Sequence, residues 1–470
     1  MVNYGFVIDN RKCIGCHACT VACKSEHDVP IGVNRTHVKY IEKGTYPDVT
    51  REFSVHRCNH CEDSPCTTIC PTTALFTRED GIVDFDDDRC IGCKSCMQAC
   101  PYDALYIDPN KGTAAKCNYC AHRIEHSYEP SCVVVCPVEA IISGDLDDPN
   151  SSISGYLNEH ETIVRKPESG AKPNVFYVET SEDSLDPHAT ERSGEYLWTD
   201  QAAGVGHFAK YAEQRSGAAD THSMIVQLAL EKKAKAAAPR DRAIIHDVMS
   251  RLEEEAGKPK RSYDQPSKGV LWGWEVSAYV VTKAIATGTY MLAMALMLSG
   301  MLEMTDGMWW RLVIGCTAFL GLTGVLLILD LDRPERFVYV MLRPNWDSWL
   351  VKGAYLLGGF GGVLACSGAV LLFGLDRIYL EYLAYAGVPL ALLTGVYTAW
   401  LLKQARGRSW SEDGLLEAKM IFEMVVVGAG GVLLMASPGI LSMLVFAILM
   451  AVVASHAHGT VIKPQLETLH

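Results

Sequence analysis

Residues 13–30 read CIGCHACTVACKSEHDVP, four cysteines in the spacing C-x2-C-x2-C-x3-C. Three thiolates on one tight loop can hold three irons of a cubane, while the fourth reaches a neighbouring cluster. Three further groups follow: Cys58, Cys61, Cys66 and Cys70 before Pro71; Cys90, Cys93, Cys96 and Cys100 before Pro101; and Cys117, Cys120, Cys132 and Cys136 before Pro137. The third group, CIGCKSCMQAC, repeats the first, CIGCHACTVAC, so a duplicated two-cluster unit with four 4Fe-4S clusters is expected. Structural zinc also takes four cysteines per site, but it needs neither the third cysteine two residues on nor the following proline. Lys24 stands where the other groups have proline and leaves the ligand set of Cys13, Cys16, Cys19 and Cys23 intact.

The remainder of the sequence differs in kind. At 470 residues it is too long for one ordinary domain, and its composition shifts from cysteine-rich to apolar. A formal charge of -13 argues against nucleic acid as a partner, because phosphate binding needs clustered lysine and arginine. Sixteen of the 18 cysteines lie in the four groups; Cys316 and Cys366 fall in apolar runs and read as packing residues.

The expected fold is α+β: a duplicated ferredoxin-like domain over 1–180, a polar, partly helical connector over 181–268, and an all-α transmembrane bundle over 269–470. The first part closes at KPNVFYVE (172–179), a β-branched and aromatic run that predicts a strand. In the connector, the stretches at 224–238 and 242–257 have helical composition. Six apolar segments follow, at about 271–302, 308–329, 349–374, 378–402, 415–436 and 439–457, each near the ~20 residues that a helix needs to cross a bilayer. The last two are separated only by SPG at 437–439, so one long kinked helix and five crossings is the alternative.

Lysine and arginine flank these segments unevenly. Arg251, Lys258, Lys260, Arg261, Lys268, Arg333, Arg336, Arg343, Lys352, Lys403, Arg406, Arg408, Lys419 and Lys463 fall on the side of the cysteine domain, against Arg311 and Arg377 on the other. The positive-inside rule then predicts a multi-pass protein of the cytoplasmic (inner) membrane with its iron–sulfur domain in the cytoplasm. The opening MVNYGFVIDNRKC, with neither an apolar signal region nor a twin-arginine pair, agrees with that expectation.

The runs CNHCEDSPCTTICPTTAL and KCNYCAHRIEHSYEPSCVVVCPVEAI resemble the four-cluster electron-transfer subunit of molybdopterin oxidoreductases, the group that includes dimethyl sulfoxide and polysulfide reductases. The resemblance implies that Cys13, Cys16 and Cys19 share a cluster with Cys136, and Cys117, Cys120 and Cys132 share one with Cys23. It likewise joins Cys58, Cys61 and Cys66 to Cys100, and Cys90, Cys93 and Cys96 to Cys70. A molybdenum or tungsten bis-pterin catalytic subunit is the partner so implied. The stretches LDLDRPERFVYVMLRPNWDSWLVKGAY (329–355) and YTAWLLKQARGRSW (397–410) resemble the polysulfide reductase membrane subunits called NrfD-like, which are haem-free and react with quinone. This chain has fewer crossings than that family's pattern, which brings in a further membrane subunit as a candidate partner.

Residues 270–455 contain no histidine, and His456 and His458 point in different directions on a helix, so no haem is expected. A quinone or quinol site is sought at the membrane end nearest the clusters. Glu275, Tyr279 and Lys283 share one helical face there, and an ionisable residue inside a membrane segment is a candidate for function. Tyr279 and Tyr397 are candidate donors to a quinone carbonyl, and Lys283 with Glu423 candidate proton carriers, the bland reading being a Lys283–Glu423 ion pair. The Arg333 and Arg336 loop reads as a docking or lipid-headgroup surface. The expected role is electron transfer and membrane anchoring, as the subunit that links an inorganic-sulfur catalytic partner to the quinone pool. A stand-alone ferredoxin:quinone oxidoreductase, a formate-oxidising complex and an ion-translocating complex are the alternatives.

Overall fold

A computed structural model describes residues 2–45, 47–186, 190–192, 258–264 and 268–466. The expected connector helices at 224–238 and 242–257 lie outside the described residues. Strand β1 (Tyr4–Asp9) is the centre of the cysteine domain, with Phe6, Val7 and Ile8 fully buried. It pairs antiparallel with β8 (Ile141–Asp145) and parallel with β10 (Val175–Val178), and β9 (Thr162–Ile163) forms the edge. The aromatic and β-branched run expected as a closing strand is β10. Two short hairpins, β4 (Leu75–Thr77) with β5 (Val83–Phe85) and β6 (Tyr106–Asp108) with β7 (Thr113–Ala115), follow the second and third cysteine groups.

Hairpin β2 (His37–Thr45) and β3 (Asp48–His56) gains two strands from further along the sequence, β12 (Lys260–Tyr263) and β11 (Glu191–Arg192). The polar connector is thus tied back onto the cysteine domain at 260–263. The tie is ionic as well as backbone: Lys39 lies 3.0 Å and Arg261 2.9 Å from the Asp264 carboxylate, all three buried. Composition did not reveal this pairing, because the partners are more than 200 residues apart and the strand is charged.

Among the described residues six helices are long and apolar enough to span a membrane. With α1–α5 assigned to Ala18–Glu26, Pro65–Ile69, Ser95–Ala99, Ala121–Ile124 and Ser131–Val134, these are α6 (Trp274–Leu298), α7 (Asp306–Leu329), α8 (Trp349–Leu372), α9 (Ile378–Gln404), α10 (Leu416–Ala436) and α11 (Ile440–Leu466). Helical structure is interrupted at 437–439, so the six-crossing reading holds over the single kinked helix. Helix α11 runs to Leu466, past the expected end at 457, which places His458 and Lys463 inside it as well as His456. Helix α6 is the hub, packed on α7, α9, α10 and α11. A Cβ at Gly288 or Gly428 would strike backbone of the facing helix, so these two glycines let α6 and α10 approach closely.

All loops at one end of the bundle dock on the cysteine domain. Lys268 Nζ donates to Asp103 Oδ1 (2.8 Å) and Leu105 O (2.6 Å), Arg336 Nη1 to Asp87 O (2.6 Å) and Cys90 O (3.1 Å), and Arg333 Nε to Lys111 O (2.6 Å). Asn345 Nδ2 donates to Cys70 O (2.8 Å), and Gln98 Nε2 donates to Gln465 Oε1 (2.6 Å) at the end of α11. The Arg333 and Arg336 loop is therefore a docking surface within the polypeptide.

Candidate functional site

Three of the five short helices follow a residue in the left-handed region that shapes the cysteine loop: His17 (φ 58°) before α1, Lys94 (φ 59°) before α3 and Cys120 (φ 52°) before α4. Gly15 (φ 66°) and Gly92 (φ 70°) hold equivalent places in the two CIGC loops. A Cβ on Gly15 would strike the Phe53 ring, whereas one on Gly92 would lie 2.7 Å from Asp332 Cβ in the α7–α8 loop. One copy of the repeat is closed by its own domain and the other by the membrane bundle.

The fold gathers the thiols into four sets. Cys13 has Cys16, Cys19 and Cys136 as electrostatic neighbours. Cys23 is joined to Cys117, Cys120 and Cys132, Cys61 to Cys58, Cys66 and Cys100, and Cys96 to Cys90, Cys93 and Cys70. The sets form a file, linked by Cys19 to Cys132, Cys117 to Cys58, and Cys66 to Cys70 and Cys96. Burial pushes the Cys19 and Cys23 thiols up to about 12, and their neighbouring sulfurs add to the rise. Thiols crowded this way favour deprotonation only when a positive core neutralises them. Among the described residues no group of three or more His, Cys, Asp or Glu side chains is arranged around a single metal ion. Each set supplies the four thiols that a cubane cluster takes as ligands.

The two ends of the file differ. Cys16 is exposed, and the apolar side chains of Ile14, Val21, Val134 and Val135 lie open around the first set. The fourth set is covered by the bundle: Trp272 Nε1 donates to Cys93 O at 3.1 Å, and Ser348 Oγ to Ile69 O at 2.7 Å.

Directly beneath the fourth set is a cavity of about 310 Å³, lined by Ile91, Cys93 and Ser95 from the cysteine loop and by Trp272, Tyr279, Asp330 and Tyr397 from the bundle, with apolar walls from α7 and α8. Tyr397 is seated against Gly353, where any Cβ would overlap its ring. Lys283 lies behind it, fully buried, with Nζ 4.3 Å from the Tyr397 ring centroid, 5.8 Å from that of Tyr279, and bonded to the Thr398 hydroxyl.

Of the residues expected at this site, Tyr279 and Tyr397 line the cavity and Lys283 backs it. Glu275 is half-buried in the first turn of α6, outside the lining, and Glu423 lies deeper on α10. The expected Lys283–Glu423 ion pair is not closed: Glu423 binds His456 Nδ1 at 2.5 Å across the α10–α11 contact, and Lys283 is a more distant electrostatic neighbour of Glu423. His456 in turn lines a polar cleft with Asp413, Lys419 and Lys463 at the docked end of the bundle. Sequence reasoning missed Asp330, one residue beyond α7. Burial raises its carboxyl to about 7 against the opposing pull of Lys94, with Glu275 and Asp332 adding to the rise. Its position in the loop after an apolar segment was visible, but its inward aim depends on the docked cysteine domain.

Residues 49–146 match the family model described as a 4Fe-4S dicluster domain, and residues 264–439 match that described as polysulphide reductase, NrfD. The chain is 37% identical over 251 residues to the iron-sulfur protein of a putative dimethyl sulfoxide reductase of Halobacterium salinarum, covering 47% of this chain and 93% of that protein. It is 45% identical over 179 residues to the B component of tetrathionate reductase of Salmonella typhimurium, covering 37% of this chain and 72% of the relative. With the B component of polysulfide reductase of Wolinella succinogenes it shares 43% identity over 178 residues, 37% of this chain and 93% of the relative.

Proposed function

Since this chain is a member of the family of iron–sulfur electron-transfer subunits of these reductases, with an NrfD-type membrane domain in the same polypeptide, we propose that it carries electrons between a molybdopterin catalytic subunit and membrane quinone. One 4Fe-4S cluster is assigned to each thiol set. When bound, the clusters supply one-electron carriage, which nothing in the polypeptide provides. The observation that carries the reading is the cavity directly beneath the fourth thiol set, with two tyrosines and a buried lysine at its wall.

The catalytic subunit docks on the open apolar surface around Cys16, at the far end of the file. Its pterin carries molybdenum or tungsten and its substrate is an inorganic sulfur compound, a class supported by the tetrathionate and polysulfide reductases among the relatives. Clusters held by the four sets would supply the one-electron path along the file, and a quinone in the cavity would take two electrons and two protons to become quinol. Tyr279 and Tyr397 orient its carbonyl oxygens by hydrogen bonding. Lys283, held by Thr398, stabilises negative charge as it develops at the nearby oxygen. Asp330 exchanges protons at the docked end, and the Glu423–His456 pair connects the interior to the polar cleft. The cluster domain lies on the cytoplasmic face of the inner membrane, a placement supported by the lysine and arginine bias.

Purification in mild detergent, followed by mass spectrometry and molybdenum and tungsten analysis of the copurifying proteins, tests the reading. A large pterin-bearing subunit is expected. Its reproducible absence, with quinone reduction intact, would replace this reading with a stand-alone ferredoxin:quinone oxidoreductase.

A further inference from the structure

Arg57 follows β3 and precedes Cys58, a residue of the third thiol set, but its side chain turns back between the first and second sets. It is fully buried, at 1% exposure. Its Nη1 donates to Cys132 Sγ at 3.2 Å, and its guanidinium lies over the Phe6 ring, 4.5 Å from the centroid. Nε and Nη2 are buried without a hydrogen-bond partner among the described residues, and no carboxylate there pairs with the side chain within 4 Å. The sulfurs of Cys132, Cys117 and Cys19 are the electrostatic neighbours of its guanidinium.

An arginine keeps its charge in proteins, and a buried charge without a counter-ion is costly. The neighbours of Arg57 are sulfurs of two different sets: Cys19 in the first, Cys117 and Cys132 in the second. Resting on the assignment of clusters to those sets, we propose that Arg57 is the shared counter-charge of the two clusters farthest from the membrane and raises the reduction potential of both. Each electron taken up adds one negative charge at the site, so a fixed cation and a donor to the ligand sulfur favour the reduced form over the oxidised one. Arg57 is a positioning residue for charge and touches no substrate.

The test is a redox titration of the detergent-solubilised full-length protein, monitored by electron paramagnetic resonance with iron counted in parallel, on the wild type, Arg57→Met and Arg57→Lys. Arg57→Met should lower the midpoint potential of two clusters by at least the ~59 mV that corresponds to a tenfold change in a one-electron equilibrium. The other two should not move. Unchanged midpoints with full iron content would overturn the proposal. If Arg57→Met fails to retain iron, Arg57→Lys decides: midpoints within that margin of wild type support a charge effect, and a tenfold or greater fall rejects it. A wild type that carries fewer than four clusters would instead overturn the cluster assignment itself.

Discussion

Arg57 in the cysteine domain and Lys283 in the membrane bundle are buried to the same depth, each with 1% of its surface exposed. Among the described residues neither has a carboxylate within 4 Å. Their surroundings differ. Arg57 donates to one cysteine sulfur and has two more as electrostatic neighbours, all of which become anionic on binding metal, whereas Lys283 meets a hydroxyl and the faces of two tyrosines beside a largely apolar cavity. A buried basic side chain beside sulfurs that become anionic differs in this way from one beside hydroxyls and an apolar cavity, and the two call for different tests.

The largest effect expected from breaking this comparison is on the side of the sulfurs. Cys96→Ser should remove one cluster, about a quarter of the iron, and end electron delivery to quinone, as read by iron content and quinone reduction. On the side of the cavity, Lys283→Met and Tyr397→Phe should slow quinone reduction about a hundredfold while leaving iron content and cluster spectra unchanged. Full quinone activity in both would remove the cavity from the mechanism.

Asp330 sharpens the same contrast through pH. Its raised carboxyl is protonated below about 7 and loses the proton above it, so quinone reduction that uses this donor should fall as pH rises through that value. Asp330→Asn should flatten the profile; a wild-type inflection persisting in the variant would exonerate Asp330. Gly428→Val separates packing from chemistry: its side chain meets the Gly288 backbone and should cost about 1–3 kcal/mol in detergent unfolding, with cluster spectra retained. The smallest effect is expected from Arg336→Ala, which removes two docking bonds to backbone carbonyls and should lower docking stability by about 1 kcal/mol, measured as easier proteolytic release of the cysteine domain.

Legibility followed the range of the interactions. The six apolar segments are readable because crossing a bilayer sets their length, and α11 differs at its end because the turns beyond 457 carry the polar His458 and Lys463. The Lys283–Glu423 pairing failed because helical periodicity assigns a face without naming the neighbour on another helix. The lysine and arginine bias also has a second cause: Lys268, Arg333, Arg336 and Arg408 all donate to groups of the cysteine domain, so part of that charge serves docking.

The sequence by itself determined the cysteine loops, because metal ligation depends on side-chain type at short spacing, and the transmembrane half, because burial in lipid depends on composition over one helix. Only the tertiary structure decided that β12 returns to β2, that Arg57 reaches between two thiol sets while the residue next to it serves a third, and that Asp330 and Cys93 meet Tyr279 and Tyr397 around one cavity. Those contacts join residues far apart in the sequence, and nothing in local spacing or composition encodes which distant surfaces will close on one another.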